Sequence, residues 1–552
     1  MSTPATSSAI PSSSIHIKFP EEKEDLPEVL LDLSRQIEKQ YASLPWPAKM
    51  QNIVVLTHVC GGRGDIAAAA KAIGVMQQMC PTLTFDWVLQ GGSNFNPASF
   101  LTCADPSKVH IRNWQSSPPS ELPGDFLLSG PVQLCWGANY IESRIMRKTA
   151  GPTFCFLENA HDLNSFNPKY LPLFIKEGKS SEENYRKLHS DIFSSKRDGS
   201  NGDLRMGLDP GSGIFLDRSR IEAPRSRGYC CPSYLLQIQD AGLRGDILKA
   251  MHSDETSAPD YDRHSFNFGY AHHAASWGKF IDCIAIHEGD KDVVIVLNKH
   301  GEFTKLSSKE FCDQILTPER IAFLKEKGYS KVIFKGEEEP SFAFEAEESQ
   351  AKKCLTVIVR SSFTPGDMKQ MQLAAERLLG TGDNSAVEAW CARCRLYLYE
   401  DVSNAGCKWR FLQQQVDLAK TISPNLSKLL AIFGGDKRLA DRCLNQPLSK
   451  SQMAEVEKLL NDPNLSKDTL QLCDLITKNF SFAEALESAL KRTAWHHLVP
   501  ELPIIEAEVL GEEFQAGLIS YIQNSKDSNK NLVVQDLSRL EKRVQEAVAK
   551  YL

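Results

Sequence analysis

The chain has 552 residues, 42% hydrophobic and 24% charged, which excludes collagen-like, mucin-like and wholly disordered classes. Lys and Arg number 63 against 70 Asp and Glu, a formal net charge of −7. That balance argues against broad, sequence-independent nucleic-acid binding, and at about 150 residues per domain the length predicts three or four units.

Met1 to Ser14 is rich in Ser, Thr and Pro, so residues 1–20 read as a flexible tail with no signal peptide. Residues 21–45 carry a helical apolar pattern closed by Pro45 and Pro47. Asn52-Ile-Val-Val-Leu-Thr57 is a β-branched run of the kind found in buried parallel strands. The loop His58 to Asp65 follows, then a periodic, alanine-rich helix from Ile66 to Met79, then a strand over Leu83–Leu89. Phe126–Ser129 and Thr153–Leu157 read as further strands. Residues 177–228 are polar and glycine-rich, an expected insertion that contains the turn Met206 to Leu216.

A second α/β series starts near Ser265. It comprises a strand end at Phe266–Tyr270, a helix over Ala274–Ala285, strands at Val293–Leu297, Val332–Phe334 and Leu355–Val359, and a helix over Met368–Leu379. The domains expected are therefore 21–240, 260–425 and a helical region over 426–552. No apolar run is long enough to span a membrane. The fifteen cysteines are scattered, several within apolar runs, which fits reduced thiols in a cytoplasmic protein. Cys391-Ala-Arg-Cys394 has no second Cys or His pair at ligand spacing, so buried thiols, not a metal site, are expected.

Three loops could carry chemistry. Gly61-Gly62-Arg63-Gly64-Asp65 joins a strand to a helix N-terminus, where free amides and the helix dipole favour anions. Asp65 either caps that helix or serves as a carboxylate at the mouth of a cleft. The same loop reads as Gly62-x-Gly64-x-x-Ala67, a weak dinucleotide fingerprint, with Asp86 about 20 residues on but inside a strand pattern. Gly380-Thr-Gly382-Asp383-Asn384-Ser385 precedes a helix expected near Ala386. Its amides and Ser385 suit a phosphate, while Asp383 or Glu388 suits a diol, and Glu388 in a capping box is the plain alternative. That division of labour fits a nucleotide-sugar. Ser361-Ser-Phe363-Thr-Pro-Gly366 follows a strand, and Phe363 either stacks on a base or packs in the core.

In this order the loops resemble a GT-B glycosyltransferase, most closely the bacterial protein-arginine rhamnosyltransferases that modify elongation factor P. The likeness rests on Gly64-Asp65 before a long helix, and on the aromatic strand end Phe266-Asn-Phe-Gly-Tyr270. It rests too on Phe363-Thr-Pro365, Gly382-Asp-Asn-Ser385 and Leu396-Tyr-Leu-Tyr-Glu400. It departs at Asn384, where that family has a second acid. The resemblance implies two facing Rossmann-like domains with a cleft between them. It also implies metal-independent, inverting transfer from a nucleotide-diphosphate sugar, with no other cofactor. The acceptor would be a protein side chain such as arginine. Asp65 takes the catalytic position, Gly62, Arg63 and Gly64 the acceptor side, and Phe268, Phe363 and Asp383 the donor site. A non-enzymatic α/β interaction protein and an NAD(P)-dependent dehydrogenase are the competing readings.

Overall fold

The computed structural model describes residues 15–18, 33, 35–59, 64–91, 96–114, 124–132, 151–157, 204–208, 213–226, 228–271, 273–299, 301–337, 342–345, 353–381, 383–400, 409–434, 448–506, 508–510, 531–534 and 537–552. The chain forms two compact units, Met1–Phe215 with Ser481–Leu552, and Leu216–Phe480. Residues 15–18, inside the expected flexible tail, are strand β1 (Ile15–Lys18), antiparallel to Asn531–Val534.

The first unit is built on a six-stranded sheet of β2 (Asn52–His58), β3 (Thr84–Gln90), β4 (Val109–Trp114), β5 (Phe126–Val132), β6 (Thr153–Leu157) and β7 (Leu204–Arg205). Every pairing is parallel and the order is β4-β3-β2-β5-β6-β7. Counted from β2, this is 3-2-1-4-5-6, the doubly wound Rossmann order. β7 lies within the stretch expected to be an insertion, so that part of it belongs to the sheet. Side chains alternate along a strand. Ile53, Val55, Phe85, Trp87, Phe126, Leu128, Phe154 and Phe156 therefore share one buried face. Against that face pack Ile66, Ala69, Ala70, Ile73 and Met76 of helix α1 (Gly64–Met79).

The second unit carries β8 (His264–Gly269), β9 (Asp292–Asn298), β10 (Tyr329–Lys335), β11 (Phe342–Glu345), β12 (Lys353–Arg360), β13 (Arg377–Thr381) and β14 (Leu396–Glu400). Their order is β11-β10-β12-β9-β8-β13-β14, parallel except for the edge pair β10–β11. The inner run β12-β9-β8-β13-β14 is again doubly wound, reversing direction between β8 and β13. β9 and β13 are buried almost throughout, as expected of parallel strands covered on both faces. Helix α2 (Ala274–His287) follows β8, α3 (Pro365–Ala374) follows β12, and α4 (Asp383–Ala392) follows β13. Arg377–Thr381 is strand, not the end of a helix over Met368–Leu379. The helix stops at Ala374, and residues 375–376 turn the chain into the sheet. Each unit is thus a Rossmann-like α/β layer.

The expected helical region 426–552 is not one body. Its helices up to α5 (Leu465–Asn479) belong to the second unit, and α6 (Phe482–Leu498) and α7 (Leu537–Val548) to the first. Phe482, Leu486, Ala489, Leu490 and Ala494 of α6 fall at helical spacing and complete the apolar core over the first sheet. Residues 216–240 likewise leave the first domain for the second unit. Behind α6 lies a buried polar cluster. Arg492 donates two bonds to Glu506, at 2.9 and 2.6 Å, and the Tyr41 hydroxyl donates a third at 2.6 Å. His496 Nε2 is 2.9 Å from the same carboxylate.

Among the described residues no helix is long and apolar enough to cross a membrane. The described cysteines form no disulfides with one another, and Cys391 and Cys394 are buried.

Candidate functional site

In doubly wound sheets a ligand crevice lies beyond the carboxyl ends of the strands, where the strand order reverses. In the first unit that point falls between β2 and β5. Thr57, buried near the end of β2, donates to the Gly130 carbonyl of β5 at 3.0 Å and accepts from Trp87 Nε1 of β3 at 3.0 Å. This ties three neighbouring strands together. A Cβ on Gly130 would sit 2.3 Å from the Phe156 ring, so only glycine permits the approach. α1 begins at Gly64, two residues earlier than its pattern suggests, and places Asp65 in its first turn, 1% exposed. An acid there is stabilised by the helix dipole. Gly62 and Arg63 lie outside the described residues.

Asp86 is not at a strand end. It sits in the amino half of β3, where Arg112 Nε donates to it at 2.7 Å and His110 lies 3.5 Å away. A ribose-binding acid belongs at the carboxyl end of that strand, so the dinucleotide fingerprint lacks its acid.

In the second unit the reversal lies between β8 and β13, and the expected donor-site residues gather at this edge. The backbone N–H of Tyr270, just past β8, donates to Leu379 of β13 at 2.9 Å. The Ala271 N–H donates to the buried Asn298 side chain at the end of β9, at 3.3 Å. The rings of Phe268 and Phe363 meet edge to face, 5.6 Å apart and inclined by 75°. Phe268 is 1% exposed and supports the half-buried Phe363 from below. Phe363 is held by the cap that follows it. Thr364 Oγ1 accepts from the Asp367 N–H at 3.0 Å and donates to its carboxylate at 2.9 Å, closing the start of α3.

β13 ends at Thr381, and α4 begins two residues later at Asp383. Asp383, Asn384 and Ser385 form its first turn, with Ser385 half-buried. Gly382, and the side chains of Asp383 and Asn384, lie outside the described residues. The helix therefore starts three residues before Ala386, which moves Glu388 into its second turn and removes it from any capping box. Glu388 instead accepts from Gln372 Nε2 at 3.1 Å and lies 3.5 Å from Arg220. Arg220 in turn donates to Gln372 Oε1 at 3.1 and 2.8 Å. Glu388 thus sits in a network joining α3 and α4.

Thr381 escaped sequence reasoning. It is 2% exposed, yet its Oγ1 has no hydrogen-bond partner among the described residues. A buried hydroxyl in that state costs stability unless something accepts from it. The only sequence signal was a β-branched hydroxyl at a strand end before glycine. Beside it are the first-turn amides of α4, which lack intrahelical partners. A buried hydroxyl donor and a helix N-terminus together can hold a phosphate.

A family of proteins of unknown function, DUF562, matches residues 276–420. No curated protein matches the chain. Among solved structures, a glycosyltransferase from Rickettsia africae is 10% identical with a TM-score of 0.40, over 80% of this chain and 98% of that one. Anabaena Alr3699/HepE, solved in complex with UDP and glucose, is 10% identical with a TM-score of 0.39, over 81% and 100%. EarP, from a structure concerned with arginine glycosylation of translation elongation factor EF-P, is 11% identical with a TM-score of 0.35, over 79% and 97%.

Proposed function

We propose that the chain is a GT-B glycosyltransferase that moves a sugar from a nucleotide-diphosphate donor to an acceptor. The observation that carries this reading is the Thr381 hydroxyl, without a partner among the described residues, beside the N-terminus of α4, with Phe363 at the same sheet edge. The amides, Thr381 and Ser385 would take the diphosphate, and the exposed part of Phe363 would take the base. Neutral donors can stabilise the departing diphosphate, so the reaction is written without a metal. Asp65, at the matching edge of the other sheet, would act as base or orienter of the acceptor nucleophile, with inversion at the sugar. A guanidinium acceptor would suit it, because a carboxylate matches the guanidinium fork. The reading carries with it a cytoplasmic, bacterial setting, as the sequence resemblance implies.

The test is a thermal-shift series with UDP, dTDP, GDP and NAD(P). One nucleoside diphosphate should raise Tm, by an amount equivalent to about 2.7 kcal/mol at a hundredfold excess over Kd. Thr381→Val should weaken that ligand about tenfold, the value of one good hydrogen bond to a charged group. Stabilisation by NAD(P) alone would favour a dehydrogenase, and stabilisation by nothing would favour a binding scaffold. Asp65→Ala should lower turnover by about a hundredfold or more, and undiminished turnover removes Asp65 from the chemistry.

A further inference from the structure

The opposite, amino-terminal edge of the second sheet gathers His252, His264 and Asp292. Each brings a ligating atom within 4.8 Å of the other two. Among the described residues no other group of His, Cys, Asp and Glu side chains is drawn so close. We propose that these three side chains bind a divalent transition metal, Zn2+ by their chemistry, as a structural clasp independent of the sugar-transfer crevice.

The placement follows from the fold. His264 and Asp292 open β8 and β9 and are register partners in that parallel pair, so their side chains leave the same face of the sheet. His264 is 5% exposed, and its Nδ1 lies 3.1 Å from the Asp260 carbonyl. A proton on Nδ1, given to that carbonyl, leaves the lone pair on Nε2, which is the tautomer a metal requires. Asp292 is oriented in the same manner, because its Oδ1 accepts from the Cys354 N–H at 2.7 Å.

His252 supplies an independent sign. It ends the helix Ala241–Ala250 with φ +50°, in the left-handed region, and the Ser253 N–H closes the turn on Leu248 O at 2.9 Å. Glycine fits that position best, so an imidazole there needs a use of its own. Its ring centroid is 5.5 Å from that of His264 with the planes at 50°, which is not a stacked pair.

Two imidazoles and a carboxylate are a common zinc donor set. Ligand atoms about 2.0–2.1 Å from zinc sit about 3.3 Å apart in a tetrahedron, so small side-chain rotations close the site. His252 is exposed, which leaves water access to the fourth position. The clasp would fasten the segment after Ala250 to the first residues of β8 and β9.

The experiment is calorimetric titration of Zn2+ into the chelator-treated full chain, with Co2+ absorption as a second readout. One ion per chain should bind, with Co2+ showing d–d bands and no thiolate charge-transfer band. His252→Ala, which alters an exposed residue, should weaken binding at least tenfold and abolish the rise in Tm caused by Zn2+. Asp292→Asn should also weaken it while circular dichroism stays unchanged. Absence of binding, equal affinity in His252→Ala, or a thiolate band would overturn the proposal. The sugar-transfer reading is untouched by any of these results, since its tests use nucleotides.

Discussion

At the scale of single residues, the buried carboxylate of Glu506 ties stability to pH. Burial by itself would raise its pKa, but Arg492 and His496 beside it outweigh burial and hold it well below the usual carboxylate range. Its contribution is present above about pH 4.3 and is lost as pH falls toward its depressed folded value. Glu506→Gln leaves Arg492 buried without its counter-charge and should cost about 3–5 kcal/mol in urea unfolding. His287 acts in the same direction. Burial, then Arg377, pushes its pKa down to about 2, and the neutral ring accepts from Arg377 Nε at 3.1 Å. The unfolded chain takes up a proton below about pH 6.5 that the folded chain refuses, so each further pH unit costs up to about 1.4 kcal/mol. In His287→Gln, the slope of unfolding free energy between pH 6 and 4.5 should shrink by about one proton.

At the scale of elements, the units that were legible are those whose signal is local. The strand and helix within residues 52–79 follow from β-branched residues giving way to a helical period, and the structure lengthens the strand to His58 and starts the helix at Gly64. The misread elements are those where local and tertiary preferences part. Arg377-Leu-Leu-Gly-Thr381 continues a helical-looking stretch, but its pairing with β8 and β14 holds it in the sheet. β7, two residues long, carries no periodicity at all. The donor-side loop was legible as glycine and hydroxyls after a strand, whereas the unsatisfied state of Thr381 depends on what surrounds it. His252, His264 and Asp292 match no spacing motif, since sheet register joins the last two and the turn after Ala250 brings in the first. α6 offers a direct check on packing. Leu490 is fully buried in the first unit's core, so Leu490→Ala should cost about 2–5 kcal/mol by calorimetry.

At the scale of the whole molecule, composition indicated several units but not how the chain is shared between them. An amphipathic helix has the same pattern whichever sheet it covers, so the split of the C-terminal helices at 480–481 could not be read from heptads. The division has a measurable result. A chain ending at Phe480 would leave the first sheet without the apolar face of α6 and without the partner of β1. Limited proteolysis should then cut within residues 52–157 while the 216–480 unit stays protected. Equal protection of both units would contradict the division.

The pairing of Ile15 with Val534 and of Lys18 with Asn531 bears on the order of events at the ribosome. Domains usually fold as they emerge, amino-terminal first. Here the contiguous unit 216–480 can complete itself while synthesis continues, although it is second in sequence. The unit that holds residues 52–157 is complete only once residues 481–548 have been added. Until then the apolar face that Phe482, Leu486 and Leu490 cover in the finished fold stays open on the first sheet.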